Sequence, residues 1–149
     1  LLVVLFQATQ QSYGLPATEV LEVIPRVSLR SVAGAPFWLA GLGNVRGQIV
    51  PVVDLAARLA ERPAAAALSS RIALVRRAGP GSPLVGLLAE RMTGTAQVAA
   101  QQAFRTLTLP HAPYLGEVFL EDGRMIQLIR PNDLLGEDIE HLLFGEGSP

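Results

Sequence analysis

The chain of 149 residues has no cysteine, and each of its 12 basic residues is arginine, none lysine. Without cysteine there are no disulfides, no thiol catalysis and no zinc–thiolate site, which fits a reducing compartment such as the cytoplasm. The formal net charge is −1. With neither a basic stripe nor an aromatic-rich basic surface, the chain lacks the electrostatic footprint of a nucleic-acid binder, so no nucleic-acid partner is expected. Long apolar runs are missing too. Half of the residues are hydrophobic and the mean hydropathy is +0.36, yet the longest stretches, such as Leu1 to Phe6 and Ile49 to Val53, fall far below the ~20 residues of a spanning helix. Direct membrane insertion is not expected. Leu1 to Val4 carries no basic leader and no initiator Met, and reads as a first strand exposed by trimming rather than an export signal.

The usual constellations of catalysis are equally sparse. Two histidines, His111 in a proline-flanked loop and His141 four residues after Glu137, do not make a three-ligand metal set. Gly81-Ser82-Pro83 lacks the Gly-x-Ser-x-Gly elbow of a hydrolase, and no phosphate-cradling loop is present. A non-enzymatic chain with no metal or organic cofactor is expected.

Short apolar runs fill most of the sequence: Leu2 to Gln7, Val20 to Ile24, Gln48 to Val53, Ile72 to Arg76, Leu84 to Leu88, Val118 to Leu120 and Met125 to Ile129. Bounded by Gly, Pro, Ser or Asp, they predict an all-β fold of the barrel class. Ser12-Tyr13-Gly14, Ala78-Gly79-Pro80-Gly81 and Glu121-Asp122-Gly123 predict three hairpin turns. Short helices are predicted from Asp54 to Glu61, with Asp54 as N-cap, and near Asn132 to Leu135. A weak repeat divides the chain. Gly41 to Leu55 is echoed by Leu115 to Leu134, and Leu2 to Leu5 by Ile72 to Val75, which predicts a duplicated architecture with sub-barrels over 1–62 and 71–149 and a linker at 63–70. Terminal strands crossing between the halves are compatible with this division.

The most specific segment couples a glycine-punctuated turn to an apolar strand: Gly41-Leu42-Gly43-Asn44-Val45-Arg46-Gly47-Gln48-Ile49-Val50-Pro51-Val52-Val53-Asp54-Leu55. It resembles the signature of the CheW-like domain, the adaptor module that links bacterial chemoreceptors to a histidine kinase. The likeness extends across the chain, through Tyr13-Gly14-Leu15-Pro16 and Val20 to Ile24 in the first half and, more loosely, Val85 to Leu88 and Tyr114-Leu115-Gly116 in the second. Two positions depart from the usual pattern: Val45 stands where the family has Leu, and Glu90 where it has Asp.

The resemblance implies two small, roughly five-stranded SH3-like barrels on a shared core. It also implies two partners: the helical-hairpin signalling tip of a chemoreceptor, in the groove between barrels, and the regulatory domain of the kinase, barrel end to barrel end. Val20, Glu22, Gly41 and Arg46 are the receptor-side candidates it carries over, and Asn44, Gly47, Pro51 and Asp54 belong to its structural signature. The same module also occurs inside the kinase or fused to a receiver domain. Phe37-Trp38 together with Val45 resembles adaptors of type IV pilus and surface-motility systems. From chemistry alone, Glu22 and Arg46 can form a two-pronged charge-assisted pair that Lys could not reproduce. That pair reads equally as a functional surface and as a structural, buried salt bridge. The signature glycines read either as points of close partner approach or as bends in a barrel, and Phe37-Trp38 as a docking anchor or as core.

Overall fold

The computed structural model describes residues 1–60, 70–77, 81–99, 101, 103–105 and 109–145. Twelve strands account for most of them: β1 (Leu2–Ala8), β2 (Gln11–Pro16), β3 (Val20–Pro25), β4 (Leu29–Arg30), β5 (Leu39–Val45), β6 (Gln48–Asp54), β7 (Arg71–Arg76), β8 (Leu84–Ala89), β9 (Arg91–Gln97), β10 (Ala103–Phe104), β11 (Leu115–Glu121) and β12 (Arg124–Ile129). Helices α1 (Leu55–Ala60) and α2 (Glu137–Phe144) are short, and 3-10 turns lie at Ala17–Glu19 and Pro131–Asp133. Every apolar run of the sequence became strand, as its β-branched and aliphatic side chains suit a pleated surface.

The strands form two sheets of six, not five, in the orders β10-β11-β12-β2-β1-β9 and β4-β5-β6-β8-β7-β3. Each order is the other with every strand replaced by its counterpart from the opposite half. The opening hairpin β1–β2 therefore sits in the sheet of β11 and β12, through the parallel β12–β2 ladder. Likewise β7–β8 joins β5 and β6 through the parallel β6–β8 ladder. Each sheet thus draws strands from both halves of the sequence. Residues 63–69 of the expected linker lie outside the described residues.

Three apolar clusters follow from this exchange. One lies within the first sheet, around Val3, Phe119 and Ile126; another within the second, around Val50, Val52 and Ile72. The largest lies between the sheets and joins Phe6, Leu15, Val53, Leu55, Leu87 and Ile129. Phe6 stacks on Tyr13, its cross-strand neighbour, with ring centroids 5.5 Å apart, an aromatic pair of the kind that fixes register.

Turn chemistry departs from expectation at two places. Ser12-Tyr13-Gly14 lies inside β2, and the β1–β2 reversal is made by Thr9 and Gln10, both left-handed with φ 53° and 67°. Asp122 and Gly123 (φ 50° and 73°) turn β11 into β12, and Arg46 and Gly47 turn β5 into β6, so the glycine-punctuated stretch before Arg46 is strand, not turn. Residues 78–80 of the remaining expected turn lie outside the described residues.

Candidate functional site

The candidate site is built at the tip of the β5–β6 hairpin. Val45 pairs with Gln48, leaving a two-residue loop in which Arg46 has φ 50° and Gly47 φ 85°, the mirror-image turn that matches strand twist. The Oδ1 of Asn44 accepts the Gly47 N–H at 2.8 Å and pins the loop. Glycine is at ease in this conformation; arginine is not. The Arg46 side chain projects from the tip to β3, at the far end of the same sheet order, where Nη2 meets Oε1 of Glu22 at 2.5 Å and Nη1 meets Oε2 at 3.2 Å. Beneath this bridge, Ile24 of β3 and Val45 of β5 share one core cluster, so the curl of the sheet brings its edge strand against the hairpin.

The pair is not buried. The side chains of Arg46 and Glu22 are 67% and 46% exposed, which corrects the structural reading of a buried salt bridge whose loss would wreck folding. Hydrogen bonds from Arg46 hold the Glu22 carboxyl below its ordinary value of 4.5. A carboxylate whose folded pKa is depressed contributes above its unfolded pKa and loses that contribution as pH falls through the folded value, so the pair is intact at neutral pH and dissolves only in acid. Exposed apolar side chains adjoin it in sequence: Leu21 and Val23, either side of Glu22 on β3, are 55% and 42% exposed, and Ile49, three residues after Arg46 on β6, is 72% exposed.

The other candidates take different places. Val20 opens β3 opposite Val75 and is half-buried against the central core. Gly41 is buried in β5 with φ 147°, and a Cβ there would come within 2.6 Å of the Arg30 carbonyl oxygen. It lies under β4, against Leu29 and Arg30, and shapes the backbone. Pro51 faces Leu42. Since hydrogen-bonded and non-bonded pairs alternate from the turn, its nitrogen points away from β5, one residue before the ladder to β8 begins at Val52, where a missing N–H is tolerated. Asp54 ends β6, and its Oδ1 accepts the Ala57 N–H at 3.1 Å, capping α1.

Sequence reasoning missed two groups. Leu21, Val23 and Ile49 carried no signal, because alternation says which residues share a face but not which face meets water. Arg58 of α1 is the other. Its guanidinium lies 4.2 Å from the Trp38 ring centroid and 4.8 Å from that of Tyr114, and its Nε donates to the Leu134 carbonyl at 2.9 Å. Trp38 and Tyr114 are counterparts, each just before the outer strand of a repeated hairpin, and their carbonyls accept from Asp54 and Arg130 N–H at 2.8 Å alike. The duplication thus sets two aromatic rings around one cation, whose pKa burial lowers. Trp38 is half-buried in this stack, whereas Phe37 is 60% exposed.

His111 and His141 are both exposed, and no group of three or more metal-ligating side chains occurs among the described residues. Among those residues no helix is long and apolar enough to cross a membrane.

Two interlocked sheets over a common core, with an exposed charged pair at a hairpin tip and no metal cluster among the described residues, have the build of a protein-binding module. Over residues 2–138 the chain matches the CheW-like domain, and it belongs to that family. Its fold is shared with the scaffolding protein TtCheW from Thermoanaerobacter tengcongensis, whose crystal structure superposes with a TM-score of 0.80 at 24% identity, over 93% of this chain and 89% of that one. No curated protein matches the chain by sequence. Family membership makes it a non-catalytic adaptor of chemotaxis signalling that acts through protein–protein contact.

Proposed function

We propose that this chain couples chemoreceptors to a CheA-type histidine kinase in the cytoplasm, at receptor arrays, with Val20, Glu22, Gly41 and Arg46 forming the receptor side. The kinase regulatory domain docks barrel end to barrel end. The observation that supports this reading is the exposed Glu22–Arg46 pair, with the exposed Leu21 and Val23 adjoining Glu22 on β3. Exposed ion pairs add little to stability, so folding gives no reason to hold an arginine at a left-handed position for the sake of this one. Exposed apolar side chains together with a fixed charged pair are what a partner helix reads, its apolar face on the former and its polar groups on the latter.

The test is a titration of the chain with a receptor signalling-tip hairpin and, separately, with the kinase regulatory domain. Glu22→Ala and Arg46→Asn are each expected to weaken receptor-tip binding about fivefold, and the double variant by about the same factor rather than about 25-fold. Asn accepts the left-handed turn more readily than Arg, so thermal melts of Arg46→Asn should match or exceed those of the parent chain. Strict additivity, or receptor affinity untouched by all three variants, removes the pair from the site.

A further inference from the structure

Helix α2 crosses the outer face of the β5–β6 hairpin without filling its seat. Leu142 and Phe144 face Val32, Leu42, Ile49 and Pro51 across a groove of about 230 Å³. On the other side, Arg77, Pro83, Glu140 and His141 line a second hollow of about 330 Å³. Arg77, at the start of the loop after β7, is the polar anchor. Its Nη1 donates to Glu140 Oε2 at 3.0 Å, and its guanidinium lies 5.0 Å from the Phe144 ring centroid. Its Nε is buried with no hydrogen-bond partner among the described residues, an open donor at the place where the helix should satisfy it.

Local features also hold α2 loosely. It spans only Glu137–Phe144 and starts at Gly136, which offers no side-chain cap, and none of its described side chains is fully buried. A helix this short is marginal except for its packing. Here the packing leaves two hollows and an unpaired donor.

We propose that α2 is an internal pseudo-ligand, seated in a helix-binding groove from which an amphipathic helix of a partner protein, bearing a carboxylate four residues before an aromatic, displaces it. The resident helix supplies that specification: Glu140 and Phe144 stand at i and i+4 and engage the charge and the face of Arg77 together, while the adjacent leucines lie over the hairpin. A carboxylate seated deeper than Glu140 also satisfies Nε, forming the two-pronged bond that Arg77 now lacks. This inference rests on the adaptor reading only in taking the occupant to be a protein; the Glu22–Arg46 pair is not part of it.

Two measurements on the full chain test it. Amide hydrogen exchange should show α2, including the Gly145 N–H bonded to His141, opening at least ~100-fold more often than β6; equal protection of the two elements overturns the proposal. The second uses a fluorescent peptide of residues 135–145 as probe. It should bind the Glu140→Lys variant, whose own helix is repelled by Arg77, about tenfold more tightly than the parent chain. Adding Ile49→Asp should abolish that gain, and Arg46→Asn should leave it intact, which separates failure here from failure of the receptor-side site. Equal peptide affinity for the parent chain and Glu140→Lys, or a gain that survives Ile49→Asp, overturns the pseudo-ligand.

Discussion

Gly41→Ala is expected to destabilise the chain by about 3 kcal/mol and to lower Tm by roughly 6–12 °C, the shift that such a loss produces in a domain of this size. Two causes act together. The φ of 147° at Gly41 is closed to side-chain-bearing residues, and the added Cβ would stand 2.6 Å from the Arg30 carbonyl oxygen, a backbone atom that cannot swing aside. Gly47 is the control: its φ is 85° and nothing lies within 4 Å of where its Cβ would be, so Gly47→Asn should change Tm by no more than about 2 °C. Calorimetry of the two variants decides the matter, and a Gly41→Ala chain melting with the parent would refute the clash. A binding defect at Gly41 is accordingly a defect of shape, transmitted through the seat of β4, and should scale with lost stability.

Val20→Asp is expected to weaken receptor-tip binding well over tenfold. Val20 is half-buried at the head of β3, two positions before Glu22. A carboxylate there forfeits burial worth about 1.5–3 kcal/mol and adds a desolvation penalty. Because the same side chain touches the central core, some stability is lost as well. Kinase-domain affinity is the discriminating readout, since it should hold in a chain that remains folded. Unaltered receptor affinity in folded Val20→Asp, or equal loss toward both partners, would take Val20 out of the receptor surface.

The strands that local pattern revealed are those whose apolar residues run together. β2, β5 and β9 escaped it for different reasons. Gly14 marks a turn by composition, yet it sits in mid-strand because a Cβ there would press to 3.0 Å from that of Val3. In β5, Gly41 and Gly43 serve close approach by β4 and its flank in the same way. β9, Arg-Met-Thr-Gly-Thr-Ala-Gln, is an edge strand that is mostly exposed, so it has no apolar run to notice. The exchange of hairpins between sheets is written in no local window, since it depends on pairings between distant segments; the internal repeat announced duplication but not which partners would join. At the site, charge complementarity and the family pattern singled out Glu22 and Arg46, whereas their exposure and that of Leu21 and Val23 depended on how the sheet curls.

That exchange also sets a timetable for synthesis. Leu128 pairs with Gly14, a separation of 128 − 14 = 114 residues, and at about 5–20 residues per second a ribosome needs roughly 6–23 s to make the interval. Through most of it the β1–β2 hairpin has emerged with an apolar face and no partner strand; β9 then covers the β1 edge, and the β2 edge stays open until β12 is made. Nascent chains are therefore exposed to chaperones and to mispairing with one another for far longer than those of a protein whose neighbouring strands follow directly in sequence.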